Sequence, residues 1–233
     1  MTLRTGVRAV FFDVGGPIYD DENYVKALLR ALDDMRMVRG NPPVDRAQFR
    51  RIYNEIRDRQ GGSLRTALAV ELLGSTELRA ELHDRTRTYW AHPEGTMYSD
   101  VAPLMAKLHG KVTIGLLANQ EASVVDALHR DGLGQLIDVW GVSAIVGHEK
   151  PSSSLFGWAL NEAGAEPWNA VHVGNRLDTD VRPAKALGLG TVWVTRGEAP
   201  ERPTPGQLAE PDLVVPDLTT LADELLPLID KTR

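Results

Sequence analysis

The sequence predicts an α/β fold, a Rossmann-like parallel sheet flanked by helices, with an α-helical bundle inserted after the first strand. Three observations carry this expectation. Short apolar runs recur along the chain, each a few residues long and bounded by Gly, Asp, Asn or Pro. From the second run onward they alternate with stretches whose apolar residues fall at three- and four-residue spacing. Between residue 20 and about residue 92 the alternation stops, and only helical spacing is found.

The strands are expected at Ala9–Phe12, Val112–Leu117, Val139–Val142, Ala170–Val173, Thr191–Val194 and Leu213–Val215. Helical spacing is read at Pro103 to Leu108, at Val124, Val125 and Leu128, at Leu155, Phe156, Ala159 and Leu160, and at Val181, Ala184 and Leu187. Strand–helix alternation of this kind indicates a parallel sheet with helices on both faces. Inside the insertion, Val25, Leu28, Leu29, Leu32 and Met35 form one stripe, and Phe49, Ile52, Tyr53 and Ile56 a second. Leu64, Leu68, Leu72 and Leu73 form a third, and Leu78, Leu82, Arg85 and Tyr89 a weaker fourth. Asn41-Pro42-Pro43, Gln60-Gly61-Gly62 and Gly74-Ser75-Thr76 separate them as turns. The expected organisation is a core of residues 1–19 and 93–233 carrying a helical cap of residues 20–92. The hinges fall near Tyr19-Asp20-Asp21 and His92-Pro93-Glu94-Gly95, and the Pro-rich stretch Glu198–Pro211 reads as a surface loop.

Composition narrows the function. Of 233 residues, 25% are charged and 42% apolar, which describes an ordinary globular protein. The net charge of -6 argues against nucleic-acid or anionic-membrane binding, which needs a basic face. No apolar run reaches the ~20 residues of a membrane span, and no signal-peptide region opens the chain. Cysteine is absent, so thiolate chemistry and disulfides are excluded, and the expected location is the cytoplasm.

The chemistry is expected at strand ends. Asp13 directly follows the first strand and precedes Val14-Gly15-Gly16-Pro17. Open parallel sheets place ligand crevices at such carboxyl ends, and glycines let a ligand or metal approach the backbone closely. The residue types suit a nucleophile or metal ligand, and equally a carboxylate that caps a turn. Leu116-Leu117 runs into Ala118-Asn119-Gln120, Gly147-His148-Glu149-Lys150-Pro151 leads into a helix, and Val171-His172-Val173 runs into Gly174-Asn175-Arg176-Leu177-Asp178-Thr179-Asp180. A carboxylate, a lysine and further oxygen ligands at one sheet edge suit Mg²⁺-assisted attack on phosphorus or carbon.

In this order, strand–Asp, helical insertion, strand–Asn, Lys-Pro and strand–Gly-Asn…Asp, the chain resembles the haloacid dehalogenase-like superfamily with a cap after its first motif. The resemblance runs from Val10 to about Val215. It implies Asp13 as a nucleophile forming a covalent aspartyl intermediate, Lys150 steadying it, and Asn119 as a third catalytic group. It implies substrate contacts from Gly16, Ala118, Asn119 and Arg176, and from Arg65 in the cap turn Gly61–Arg65. It implies Mg²⁺ held by Asp13, the Gly15 carbonyl, Asn175 and Asp180, a small anionic metabolite as substrate, and a Lys150–Pro151 bond that is often cis.

The departures matter as much. Phosphatases of the superfamily carry a second aspartate where this chain has Gly15; that group protonates the leaving alcohol. The usual Ser or Thr of the second motif is Ala118, and the usual Gly-Asp of the fourth is Gly174-Asn175. A neutral amide at 175 predicts weak Mg²⁺ binding, with Asp178 as a compensating ligand or a solvated loop residue. His92 and Tyr98 are the candidate replacement acids. The leading expectation is a Mg²⁺-dependent phosphatase of a small metabolite. The alternatives are a 2-haloacid dehalogenase-type hydrolase and a ligand-binding protein without turnover. His148 reads as a surface residue, His172 as a core histidine, and Trp140, Trp158, Trp168 and Trp193 as packing residues.

Overall fold

Six buried or half-buried strands, β1 (Ala9–Phe12), β2 (Thr113–Ala118), β3 (Val139–Val142), β4 (Ala170–Gly174), β5 (Gly190–Val194) and β6 (Leu213–Val215), form one all-parallel sheet in the computed structural model. The structure describes residues 3–229. The strand order is β3-β2-β1-β4-β5-β6. Both faces of this sheet are covered, which is why its strands read as continuous apolar runs rather than alternating ones. In register, Phe12 lies beside Leu116 on β2 and Val173 on β4, so past the end of β1 the strand β4 continues for one residue and β2 for two. The chain runs outward from β1 in both directions, making the β1/β4 boundary the switch point where ligand crevices open.

By contacts the chain divides into two compact units, Met1–Asp20 with Pro93–Arg233, and Asp21–His92. In the first, the β-sheet is accompanied by α5 to α11, of which α10 buries no residue. These helices are α5 (Val101–Leu108), α6 (Val124–Arg130), α7 (Ser143–Val146), α8 (Ser153–Ala163), α9 (Arg182–Leu187), α10 (Pro205–Leu208) and α11 (Leu221–Leu225). One face buries Val10, Phe12, Ile114 and Val173 with Leu104, Leu108 and Leu128. The other buries Ala9, Phe11 and Leu117 with Leu155, Phe156 and Ala159. The loop expected over 198–211 contains α10, capped by Thr204 and Gln207 in reciprocal bonds to each other's backbone.

The second unit holds α1 (Glu22–Val38), α2 (Arg46–Arg59), α3 (Leu64–Leu73) and α4 (Arg79–Tyr89). Leu28, Leu32 and Met35 of α1 lie on one stripe and share a core with Phe49, Ile52, Ile56, Leu68 and Leu82. The Asp45 and Ser63 side chains accept backbone N–H bonds at the starts of α2 and α3, and Gly74 at φ 85° ends α3. No helix among the described residues is long and apolar enough to cross a membrane.

One packing expectation is corrected. Trp193 is fully buried, but Trp168 is 53% exposed. It sits in the turn Pro167–Asn169 ahead of β4, where the neighbouring Asn169 is the buried member and holds the Glu166 N–H.

Candidate active site

Asp13 continues the β1–β4 ladder for one more bond, its N–H donating to Val173 O at 2.8 Å. The chain then folds into a tight loop in which Ile18 and Tyr19 both donate to Val14 O at 3.0 Å. Gly16, at φ 86°, donates to Tyr19 O at 2.8 Å. The loop is clasped from outside by Arg196, just past β5. Its guanidinium donates to Gly16 O at 3.1 Å and Pro17 O at 2.5 Å, pairs with Asp100 at 2.7 Å, and lies 3.9 Å from the Tyr98 ring centroid. Both backbone groups of Gly16, an expected substrate contact, are bonded inside the protein.

Lys150 reaches Asp13 from the loop after α7, with Nζ 2.8 Å from Asp13 Oδ1 and 2.5 Å from Asp180 Oδ1. The Lys150–Pro151 bond is cis. Asn119 holds the Lys150 backbone at both ends: its Oδ1 accepts from Lys150 N at 2.7 Å and its Nδ2 donates to Lys150 O at 2.8 Å. Asn119, expected as a catalytic or substrate group, thus has both ends of its amide on the Lys150 backbone. Ala118 closes β2, fully buried, and has only a methyl side chain.

Asp180 comes from a wide π-type turn, Leu177–Val181. It is fully buried, and its Oδ2 accepts the Arg176 N–H at 3.0 Å while its Oδ1 faces Lys150 and, at 3.2 Å, His172 Nε2. A Cβ at Gly174 would lie 2.4 Å from the Asp180 side chain, so only glycine leaves room for it there. The Arg176 guanidinium, an expected substrate contact, is engaged with Asp178 at 2.8 Å and Glu198 at 3.3 Å.

Burial pushes the Asp13 carboxyl up from 3.8 to about 6, aided by Asp180 and opposed by Lys150. Burial alone would lower the Lys150 ammonium, but the two carboxylates outweigh it and hold it above the ordinary lysine value. Burial would raise Asp180, but Lys150 and His172 outweigh that and keep it ionised. The result is a line of alternating charge, Asp13–Lys150–Asp180.

The expected magnesium ligands can be tested on this geometry. The Asn175 amide is satisfied at both ends only with Nδ2 toward the Gly15 carbonyl, at 3.2 Å, and Oδ1 toward the Glu198 N–H, at 2.9 Å. The reverse orientation leaves a single bond, to Arg196 O at 3.3 Å. In the orientation that satisfies the amide, two of the expected ligands are bonded to each other, and a third, Asp180, has both oxygens engaged within the protein. Among the described residues no three His, Cys, Asp or Glu side chains are grouped to hold a metal. Magnesium asks for near-octahedral oxygen ligands, usually with carboxylates. As arranged, these residues do not fit a tightly held Mg²⁺.

Asn175→Asp removes the amide donor and adds a charge beside Asp13. Millimolar MgCl₂ is expected to raise the Tm of this variant by about 5 °C and that of the unaltered protein by about 1 °C or less. Equal shifts would show that the amide is not what sets the affinity.

Arg65 lies in the helical unit, at the start of α3. Its guanidinium carbon is 5.7 Å from the Tyr24 ring centroid, and its Nε has no hydrogen-bond partner. His148 is exposed, as a surface histidine should be. The residues that sequence reasoning missed are Arg196, Glu198 and the Asp180 contact of His172. Nothing in the spacing marks them, since each reaches the site by side-chain bonds across the fold.

The sequence model of the haloacid dehalogenase-like hydrolases matches residues 7–188. The chain is 35% identical over 107 residues to the glyceraldehyde 3-phosphate phosphatase of Methanopyrus kandleri, an overlap of 43% of this chain and 44% of that protein. It is 32% identical over 168 residues to the phosphoserine phosphatase of Thermus thermophilus, covering 72% of this chain and 61% of that one. The chain therefore spans less than two thirds of the length of either relative. A phosphatase structure from Thermococcus onnurineus superimposes with TM-score 0.64 at 22% identity, over 94% of this chain and 98% of that one, a likeness of fold.

Proposed function

The chain belongs to the haloacid dehalogenase-like hydrolase family, and from that premise we propose that it is a phosphohydrolase of a small phosphorylated metabolite, acting through Asp13. The observation that carries this reading is the exposure along the charged line. The Asp13 side chain is 15% exposed, whereas Lys150 and Asp180 are 2% and 0% exposed. Only the carboxylate at the sheet edge can meet a substrate, and it does so with an ammonium at its back. The names of the two relatives, phosphatases of glyceraldehyde 3-phosphate and of phosphoserine, support a small phosphate ester or anhydride as substrate. In this reading the helical unit is a substrate-selecting cap, with Arg65 as its cation.

Asp13 Oδ2 attacks phosphorus as the bond from phosphorus to the leaving oxygen breaks, and the leaving group departs with that electron pair. Water then attacks the same phosphorus, the bond to Oδ2 breaks, and phosphate leaves with the Asp13 carboxylate restored. Lys150 offsets the charge that gathers on the phosphoryl oxygens. Two of its three N–H donors are used on Asp13 and Asp180, so its charge acts on the phosphoryl group from behind the carboxylate. No step is assigned to magnesium. Position 15 supplies no acid, and general acid catalysis is worth ~10²–10⁴-fold. The reading therefore favours a leaving group that departs as a stable anion, as in an acyl phosphate.

The test is phosphate release from acetyl phosphate, glyceraldehyde 3-phosphate and phosphoserine, with acid-quenched samples examined by peptide mass spectrometry. Acetyl phosphate should turn over at least about 10²-fold faster than the two esters, with a phosphoryl group trapped on the Asp13 peptide. No release from any of them and no trapped phosphoryl group would overturn the proposal in favour of binding without turnover.

A further inference from the structure

His172 occupies the middle of β4, paired in register with Phe11 on β1 and Thr191 on β5. It is fully enclosed, with the Phe156 ring edge-on at 5.3 Å between centroids. Nδ1 has no hydrogen-bond partner and no access to water. The Phe11 backbone lies near the ring but completes no hydrogen bond to Nδ1. Such a strand interior ordinarily takes valine or leucine, and a buried, half-satisfied ring nitrogen there costs stability. That cost calls for a reason. Among the described residues, the polar side chain that the ring meets is Asp180, 3.2 Å from Nε2.

The position of that contact is specific. Successive residues of a strand point to opposite faces, so His172 and Gly174 share one face of β4. Asp180 lies over the missing side chain of Gly174 and against the His172 ring. An ionised carboxylate can only accept, so the Nε2 that faces Asp180 Oδ1 at 3.2 Å carries a proton and donates to it.

We propose that His172 is a positioning residue of the phosphoryl-transfer site: its Nε2–H fixes the Asp180 carboxylate, which in turn holds the Lys150 ammonium against Asp13. This rests on the reading of Asp13 as the nucleophile of a phosphohydrolase. Asp180 Oδ1 is shared between His172 and Lys150, so the ring decides where that oxygen points. Lys150 Nζ follows it, being 2.5 Å from Asp180 and 2.8 Å from Asp13. Without the donor at 172 the carboxylate can turn about its own axis and draw the ammonium off the line to phosphorus. The side chain touches no substrate, and its effect passes entirely through Asp180.

The full chain would be prepared unaltered, as His172→Leu and as His172→Gln, the last keeping an N–H donor on a shorter arm. With acetyl phosphate, His172→Leu should lose about 10²-fold in kcat, the scale of a small misplacement of a reacting group. Its KM should stay within about threefold, and its Tm within a few degrees of the unaltered protein, since the loss of the Nε2–H donor offsets the removal of the orphaned nitrogen. His172→Gln should recover most of the lost kcat. A leucine variant whose activity falls only in step with a lower Tm, with glutamine no better, would overturn the proposal. If the unaltered protein fails to turn over acetyl phosphate, the phosphohydrolase reading fails. The contact is still decided by ¹⁵N NMR of the imidazole, where a proton on Nε2 upholds it and the neutral Nδ1–H form overturns it.

Discussion

Asp13→Asn is expected to abolish turnover of acetyl phosphate, by at least about 10³-fold in kcat, and at the same time to make the protein more stable near neutral pH. The two effects share a cause. The carboxyl is pushed up from 3.8 to about 6 because burial disfavours its charge. Between those values the folded protein holds a proton that the unfolded chain gives up, so this group's contribution to stability falls as pH rises from about 4 to about 6. A displacement of that size corresponds to about 3 kcal/mol. An uncharged, isosteric amide escapes that loss. Urea unfolding of both proteins at pH 4, 6 and 7.5 should therefore show a gap in favour of the variant that opens as pH rises. Activity of the unaltered protein should rise with pH through about 6, as Asp13 ionises. A variant less stable than its parent at pH 7.5 would contradict the premise that the nucleophile is held in a disfavoured charge state.

Lys150→Met should have the opposite effect on stability and the same effect on activity. The ammonium is the cation between Asp13 and Asp180, and methionine fills a similar space without charge. Removing one partner of a buried ion pair typically costs about 3–5 kcal/mol, because the remaining charge is left uncompensated. Here two carboxylates are left facing each other. Protonation relieves that repulsion, so the variant should regain stability as pH falls from 7.5 to 5, whereas the parent gains less over the same interval. Equal unfolding midpoints for variant and parent at pH 7.5 would show that the ammonium does not hold the line together. Loss of acetyl phosphate turnover without any stability change would point instead to a purely chemical role.

Much of the fold is visible in the sequence because the strands are buried on both faces and flanked by turn residues. Ala9–Phe12, Val139–Val142 and Leu213–Val215 begin and end where the apolar runs do. The second strand starts one residue later than its run, since Val112 donates to Leu108 O and belongs to the turn closing α5. Asp13, Lys150 and Asp180 come together because strand ends in a parallel sheet must lie on one edge. What the spacing does not carry is how polar side chains pair across that edge. Asn119 looks like a catalytic or substrate group in the sequence and Asn175 like a metal ligand, yet both amides lie against backbone groups distant in the chain. Arg176 looks like a cation facing the crevice, and two acids that follow it in the chain hold its guanidinium. Arg196 lies 180 residues from the loop it clasps. Such pairings depend on three-dimensional proximity, and no periodicity encodes them.

Asn119 grips the N–H and C=O of residue 150, groups that nearly every amino acid possesses. The frame on which that side chain hangs is thus independent of what the side chain is. A library randomised at position 150 would present nearly all its members from one fixed anchor, and differences among them would report chemistry rather than misplacement. Randomising 119 instead would shift the anchor itself, so an engineer seeking new reactivity in this scaffold should vary the cargo and leave the staple alone.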